Sequence, residues 1–170
     1  MLPSDYYAVA SRLDVLANTT SRTTWPCPSH SVTQEPPMFS HIQIGARDLP
    51  QMLAFYDHVL QTLGLVRIPD ENDGGPAGAG WQRPGRPWPQ VYVQLPFNGL
   101  PATWGNGMQV SFAAQSQQQV RDAWQAALDN GGTDEGAPGL RPQYAQDYFG
   151  AYCRDPEGNK LCFVHISDMA

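Results

Sequence analysis

The chain is short of positive charge. Of its 170 residues, 10 are Lys or Arg and 16 are Asp or Glu, a formal net charge of −6. Basic side chains form no cluster, which argues against nucleic acid or an anionic membrane surface as a partner. No apolar run approaches the roughly 20 residues needed to cross a bilayer. The N-terminus lacks the basic start and apolar stretch of a secretory signal. Cysteine is scarce too. Cys27, Cys153 and Cys162 are odd in number and widely spaced, without a CxxC pair. This argues against a disulfide framework and a zinc finger, and fits a reducing cytoplasm. The glycine-rich stretch "NDGGPAGAGWQRPGRP" lacks the GxxxxGK[ST] pattern and a following helix, so it is no phosphate-binding loop. It reads instead as a mobile connection with one short strand, placed to gate a cavity mouth.

Hydrophobic residues make up 41% of the chain, enough for the core of one domain or of two small modules sharing one. Residues 1–37 read as a weakly ordered extension. Val9, Leu13 and Leu16 could line a short helix after Ser4, and the polar, Pro-rich "NTTSRTTWPCPSHSVTQEPP" follows with no period. The folded unit is expected over 38–167, with Met38 a second candidate for the start of translation.

From residue 39 a pattern emerges and then recurs. "FSHIQIGA" alternates, with Ile42 and Ile44 on one face and His41 and Gln43 on the other. Asp48 is a helix cap, and Met52, Tyr56, Val59, Leu60 and Leu63 follow at helical spacing before Gly64. In "MQVSFA", Met108, Val110 and Phe112 oppose Gln109 and Ser111. Ser116 and Gln119 form a capping box, and Val120, Ala123, Trp124, Ala127 and Leu128 form an apolar stripe closed by Gly131 and Gly132. The spacing is constant: 68 separates His41 from Gln109, Asp48 from Ser116 and Gly64 from Gly132. A duplicated unit of strand, helix and further strands is therefore expected, one copy over about 39–106 and the other over about 107–167. In "QVYVQLPF", Val91, Val93 and Leu95 share the apolar face, and Tyr92 and Gln94 the other. The same offset makes Cys162 the counterpart of Gln94. His41, Gln94, Gln109 and Cys162 would then stand on the helix-free faces of four related strands, around a shared cavity.

The stretches "HIQIGARDLPQMLAFYDHVLQTLGL", "GNGMQVSFAAQSQQQVRDAWQAAL" and "GLRPQY…DYFGAYCRDPEGNKL" resemble the vicinal oxygen chelate superfamily of glyoxalases, bleomycin-resistance proteins and extradiol dioxygenases. The resemblance implies an α+β fold of two βαβββ modules forming a cupped open barrel, with modules paired within a chain or across a homodimer. It also implies metal ligands on the first and last strands of each module. Those positions fall on His41, Gln94, Gln109 and Cys162, and only His41 is the residue type that metal-using relatives keep. With two amides, one thiol and no carboxylate, no metal cofactor is expected, and a divalent ion is the alternative.

The main expectation is thus a glyoxalase/bleomycin-resistance-like protein that binds a small organic molecule. Gln43, Tyr92, Gln94, Gln109, Ser111, Arg141, Tyr144 and Cys162 are its candidate contacts, with Trp81, Trp88, Trp104 and Tyr148 contributed by loops. The alternative is a metal-dependent lyase, isomerase or dioxygenase using His41. Cys162 reads as an inert buried thiol before a nucleophile. Arg141 either orients an anionic group or anchors its loop. His165 reads as a packing residue, and His30 and His58 as loop and helix-surface residues. In "RDPEGNK", Asp155 and Glu157 are expected to shape a turn rather than do chemistry.

Overall fold

A computed structural model describes residues 38–69 and 74–167. The expected helix after Ser4, the segment behind it, Cys27 and His30 lie outside these residues. The described chain runs β1 (His41–Gly45), α1 (Leu49–Thr62), β2 (Val66–Arg67), β3 (Gly78–Arg83), β4 (Arg86–Gln94), β5 (Val110–Ala113), α2 (Gln117–Asp129), β6 (Thr133–Leu140), β7 (Phe149–Arg154) and β8 (Lys160–His165). Strand, helix and three strands therefore occur twice. The first set forms a sheet ordered β1-β4-β3-β2, and the second a sheet ordered β5-β8-β7-β6. The first strand of each half runs parallel to its last strand. A parallel neighbour requires a crossover, and the helix supplies it. The two sheets are separate and open, so the fold is α+β with two βαβββ modules and no closed barrel among the described residues.

The helices form where the caps and stripes predict. Asp48 accepts from the Gln51 amide at 3.1 Å, and Ser116 from the Gln119 amide at 3.1 Å. Gln119 does not return to the Ser116 amide as a capping box would have it. Its Oε1 accepts from Gln115 N at 2.6 Å, and its Nε2 donates to Thr62 O at 2.9 Å, tying α2 to the end of α1. Met52, Phe55, Tyr56, Val59, Leu60, Val120, Ala123 and Ala127 are buried in one core that takes residues from both halves. Burying each of the larger side chains stabilises by roughly 1.5–3 kcal/mol.

The turn between β7 and β8 joins the halves. Asp155 Oδ1 accepts from the amides of Glu157 and Asn159, while Oδ2 accepts from Asn159 Nδ2 and from the hydroxyl of Tyr56 in α1. Glu157 Oε1 accepts from the amides of Arg47 and Asp48 at 2.7 and 2.6 Å. Gly158 completes the turn at φ 96°, where a Cβ would be strained. Both acids are structural, as the turn pattern predicts.

The repeat is real, but its spacing drifts. The left-handed glycines ending the helices are Gly64 and Gly131, a spacing of 67 (131 − 64), so Gly131 rather than Gly132 is the counterpart. On the sheets, Gln43 pairs with Tyr92 and Ser111 with Cys162. The first strands keep 68 (111 − 43), whereas the last strands stand 70 apart (162 − 92). Cys162 is therefore the counterpart of Tyr92, and Gln94 is matched by Val164. The shift of two preserves the alternation of faces, so the expected facing held while the expected pairing did not. Met108 lies before β5 and is exposed, not on a buried strand face, and Leu95 lies just past β4 and is exposed.

Candidate functional site

Each sheet packs one face on the helices and leaves the other open. On the first sheet the open face carries His41, Gln43, Gln90, Tyr92 and Gln94. The Tyr92 hydroxyl donates to Gln90 Oε1 at 2.9 Å, and Gln90 Nε2 donates to Gln82 Oε1 at 3.1 Å. Gln90 is buried and fully engaged, although sequence reasoning passed over it. Its parity with Tyr92 was the available signal. His41 stands edge-on to Tyr92, with ring centroids 6.0 Å apart, and its Nδ1 lies 3.0 Å from Ser40 Oγ. Gly80 makes room for the Tyr92 ring: a Cβ there would sit 2.7 Å from Tyr92 Cε1. His41 and Gln43 are exposed and Gln94 is half-buried.

The open face of the second sheet is more aromatic. Cys162 is fully buried, with its sulfur 3.6 Å from the Tyr148 hydroxyl. Cys162 pairs with Ser111 on one side and with Tyr152 on the other. Gln109 Nε2 donates to Ser111 Oγ at 3.0 Å. The ring of Tyr144 lies 5.1 Å from that of Tyr148. Tyr148 folds across Gly150, where a Cβ would meet its Cε1 at 2.7 Å. Arg141 and Lys160 each approach the Tyr152 ring at 5.7 Å, within cation–π range. Alternation along "GNKLCFVHI" already puts Lys160 on the Cys162 face, whereas Tyr152 is brought there by the β7–β8 register.

Burial pushes the Cys162 thiol up from its usual value, against a smaller opposing effect of the Tyr148 hydrogen bond. It also raises the Tyr148 and Tyr152 hydroxyls. Burial therefore favours the thiol over the thiolate at Cys162. Cys153, also buried, is pushed up to about 12, mainly by desolvation. Arg141 donates to Ala137 O at 2.9 Å and Leu140 O at 3.1 Å, so it anchors its loop.

The remaining candidates divide. Trp81 is not a loop residue at a cavity mouth. It is a core residue of β3, 1% exposed, with Nε1 donating to Asp57 Oδ1 at 3.0 Å. Its alternation in "GAGWQR" puts it on the helix side. Trp88 and Trp104 are half-exposed, and Trp104 lies against Gly158 and Arg154 rather than on an open face. His165 Nδ1 lies 3.1 Å from Ala114 O, a packing role, and His58 sits on the exposed side of α1 against Ala54 O. Of the glycine-rich stretch, residues 74 onward include β3 and its tight turn into β4, while 70–73 lie outside the described residues.

A divalent metal does not fit the donors present. His41 is paired with Gln90, whose amide is already committed to Gln82 and Tyr92. Gln109 precedes the Val110–Leu161 rung and so falls beside Lys160, a cation held by Glu135 at 3.2 Å. No group of three His, Cys, Asp or Glu residues that could hold a metal occurs among the described residues. The carboxylate beside the second open face, Glu135, is already committed to Arg154 and Lys160, which leaves none free there to neutralise a dication.

No described helix is long and apolar enough to cross a membrane. The family model of the Glyoxalase/Bleomycin resistance protein/Dioxygenase superfamily matches residues 38–163. No curated protein matches the chain. Among solved structures, a glyoxalase/bleomycin resistance protein from Albidiferax ferrireducens T118 is 38% identical, covering 76% of this chain and 99% of its own, with a TM-score of 0.65. A glyoxalase/bleomycin resistance protein/dioxygenase family enzyme from Burkholderia phytofirmans PsJN shares the fold at 21% identity, over 75% of this chain and 97% of its own, TM-score 0.56. A lactoylglutathione lyase from Agrobacterium tumefaciens does so at 18% identity, over 78% and 96%, TM-score 0.51. The chain belongs to the Glyoxalase/Bleomycin resistance protein/Dioxygenase superfamily.

Proposed function

We propose that this protein is a cytoplasmic binder of a small organic molecule, works without a resident metal, and uses the open faces of its sheets as the walls of its cup. The observation that carries this reading is the surface formed by Tyr144, Tyr148, Tyr152, Cys162, Ser111 and Gln109, where neighbouring tyrosine rings and neutral polar groups share one open face. Such a surface suits an uncharged or weakly anionic aromatic compound, with rings supplying area and amides supplying orientation. Gln43, Tyr92 and Gln94 form the matching wall on the first sheet. His41, Gln43, Gln109 and Ser111 are all exposed in the single chain. We therefore assign the closing of the cup to a second copy, which would bring the two kinds of wall together in a homodimer. Arg141 serves as a loop anchor that holds Tyr152 in place.

Two measurements test this. Elemental analysis of protein purified without chelator is expected to find no stoichiometric metal; metal that is present and lost in His41→Ala would replace this reading with the metal-dependent lyase or dioxygenase. Thermal denaturation against a panel of aromatic compounds is expected to give a saturable rise in Tm, about 2.7 kcal/mol of added stability at a hundredfold excess over Kd. Sedimentation should show a dimer, and a monomer that binds fully would remove the second copy from the cup.

A further inference from the structure

A cavity of about 470 Å³, lined by none of the residues assigned to the cup, lies where the β3–β4 turn meets the end of β5 and its connection to α2. Arg83, Arg86, Gly64 and Gln115 are among its lining residues. Arg83 and Arg86 pair directly across the hairpin. Like charges directly opposed across a hairpin are destabilising. Neither guanidinium forms an ion pair or hydrogen bond among the described residues, whose ion pairs involve Arg47, Arg67, Arg154 and Lys160. In a chain with 16 acidic and 10 basic residues, two arginines facing one cavity without an acid are an uncompensated feature.

The internal repeat supplies an independent observation. The connection from β1 to α1 corresponds to that from β5 to α2, the β7–β8 turn to the β3–β4 turn, and Gly131 to Gly64. In that half the corresponding place is filled from within. Gly131 lies beside Pro156, and the Glu157 carboxylate rests on the amides of Arg47 and Asp48. In the first half the turn is Arg83–Pro84–Gly85–Arg86, so the carboxylate is absent and two cations stand nearby. Gln115 N is capped by Gln119, but Ser116 N, the counterpart of the Asp48 amide, donates to no described acceptor.

We propose that this pocket is a site for an external oxyanion, the carboxylate or phosphate group of a small molecule. Arg83 and Arg86 would hold it from the turn, and the Ser116 amide from the start of α2. Neither arginine is among the residues assigned to the cup, so this site stands or falls separately from it. The test titrates inorganic phosphate and, separately, acetate at ionic strength fixed with NaCl, reading Tm and the amide chemical shifts of residues 113–116. The wild-type protein should respond saturably, and Arg83→Gln/Arg86→Gln should bind at least about tenfold more weakly. Arg121→Gln, on the exposed side of α2, should respond as the wild type does. Arg86→Glu should abolish the response while retaining the fold, because it supplies an internal carboxylate as Glu157 does. A response to phosphate alone assigns the site to phosphorylated ligands, and a response to both admits carboxylates. No saturable response to either anion, or equal responses in wild type and Arg83→Gln/Arg86→Gln, would overturn the proposal.

Discussion

Replacing Glu157 separates two accounts of how the β7–β8 turn holds α1. Glu157 forms an ion pair with Arg47 at 3.3 Å, but the Arg47 side chain is 56% exposed while that of Glu157 is 7% exposed. A half-exposed ion pair contributes at most about 1 kcal/mol. The same carboxylate also accepts from the amides of Arg47 and Asp48 at 2.7 and 2.6 Å. Each hydrogen bond to a charged acceptor is worth about 1.5–3 kcal/mol, and part-buried donors left without an acceptor are costly. Glu157→Ala is therefore expected to cost about 3–5 kcal/mol, and Arg47→Ala less than about 1 kcal/mol. Glu157→Gln keeps Oε1, which takes both amides, and should fall between them at about 1–2 kcal/mol. Urea denaturation at pH 7 gives the three values. In thermal melts the Ala variant should lose roughly 9–15 °C, at about 3 °C per kcal/mol for a domain of this size. If Glu157→Ala and Arg47→Ala agreed within about 0.5 kcal/mol, the backbone amides would not be the dominant partners, and the account of the turn as a clamp between the halves would fail.

Burial raises the carboxyl pKa of Asp155 above its ordinary value, with its hydrogen bonds from Asn159 and Tyr56 opposing the shift. A raised acid binds its proton more tightly folded than unfolded, so its contribution favours the fold at low pH and is lost as pH rises through the folded value. The stability difference between wild type and Asp155→Asn should accordingly shrink as pH rises from about 4 to 7, measured by urea denaturation at each pH; growth of the difference over that range would refute the sign. Cys153 and Cys162 are fully buried neutral thiols, so peptide mass spectrometry should find neither alkylated by iodoacetamide in the native protein and both alkylated in urea. Gly150→Ala places a Cβ 2.7 Å from Tyr148 Cε1 and should push that ring off Cys162. The expected cost is about 1–3 kcal/mol of stability together with weakened binding of any ligand that the cup takes, and unchanged binding would remove Tyr148 from the site.

Much of the fold was legible because it depends on local periodicity. The stripe from Met52 to Leu63 buries one face of α1, as its spacing requires, and Asp48 and Ser116 cap where their side chains can reach the next turn. Trp81 was misassigned because it sits among glycines and prolines that resemble a loop; only β3, pairing with β4, turns it inward. Tyr152 gained meaning only from the β7–β8 ladder, which sets it beside Cys162, and Lys160 met Gln109 only through the β5–β8 ladder.

The sequence by itself determined the duplicated strand–helix–strand unit, its caps, its apolar faces and the turn at Asp155. These are set within a few residues along the chain, where alternation and helical spacing act directly. Tertiary structure decided which residues meet. The offset of 68 holds on the first strands, but the loops between helix and last strand differ in length, and the ladder settles at 70, making Tyr92 the counterpart of Cys162. It also decided that Glu157 closes one half on backbone amides while the matching place in the other half faces two arginines. Pairing across a sheet and docking between halves bring together residues 50 to 110 positions apart, and no local pattern records that distance.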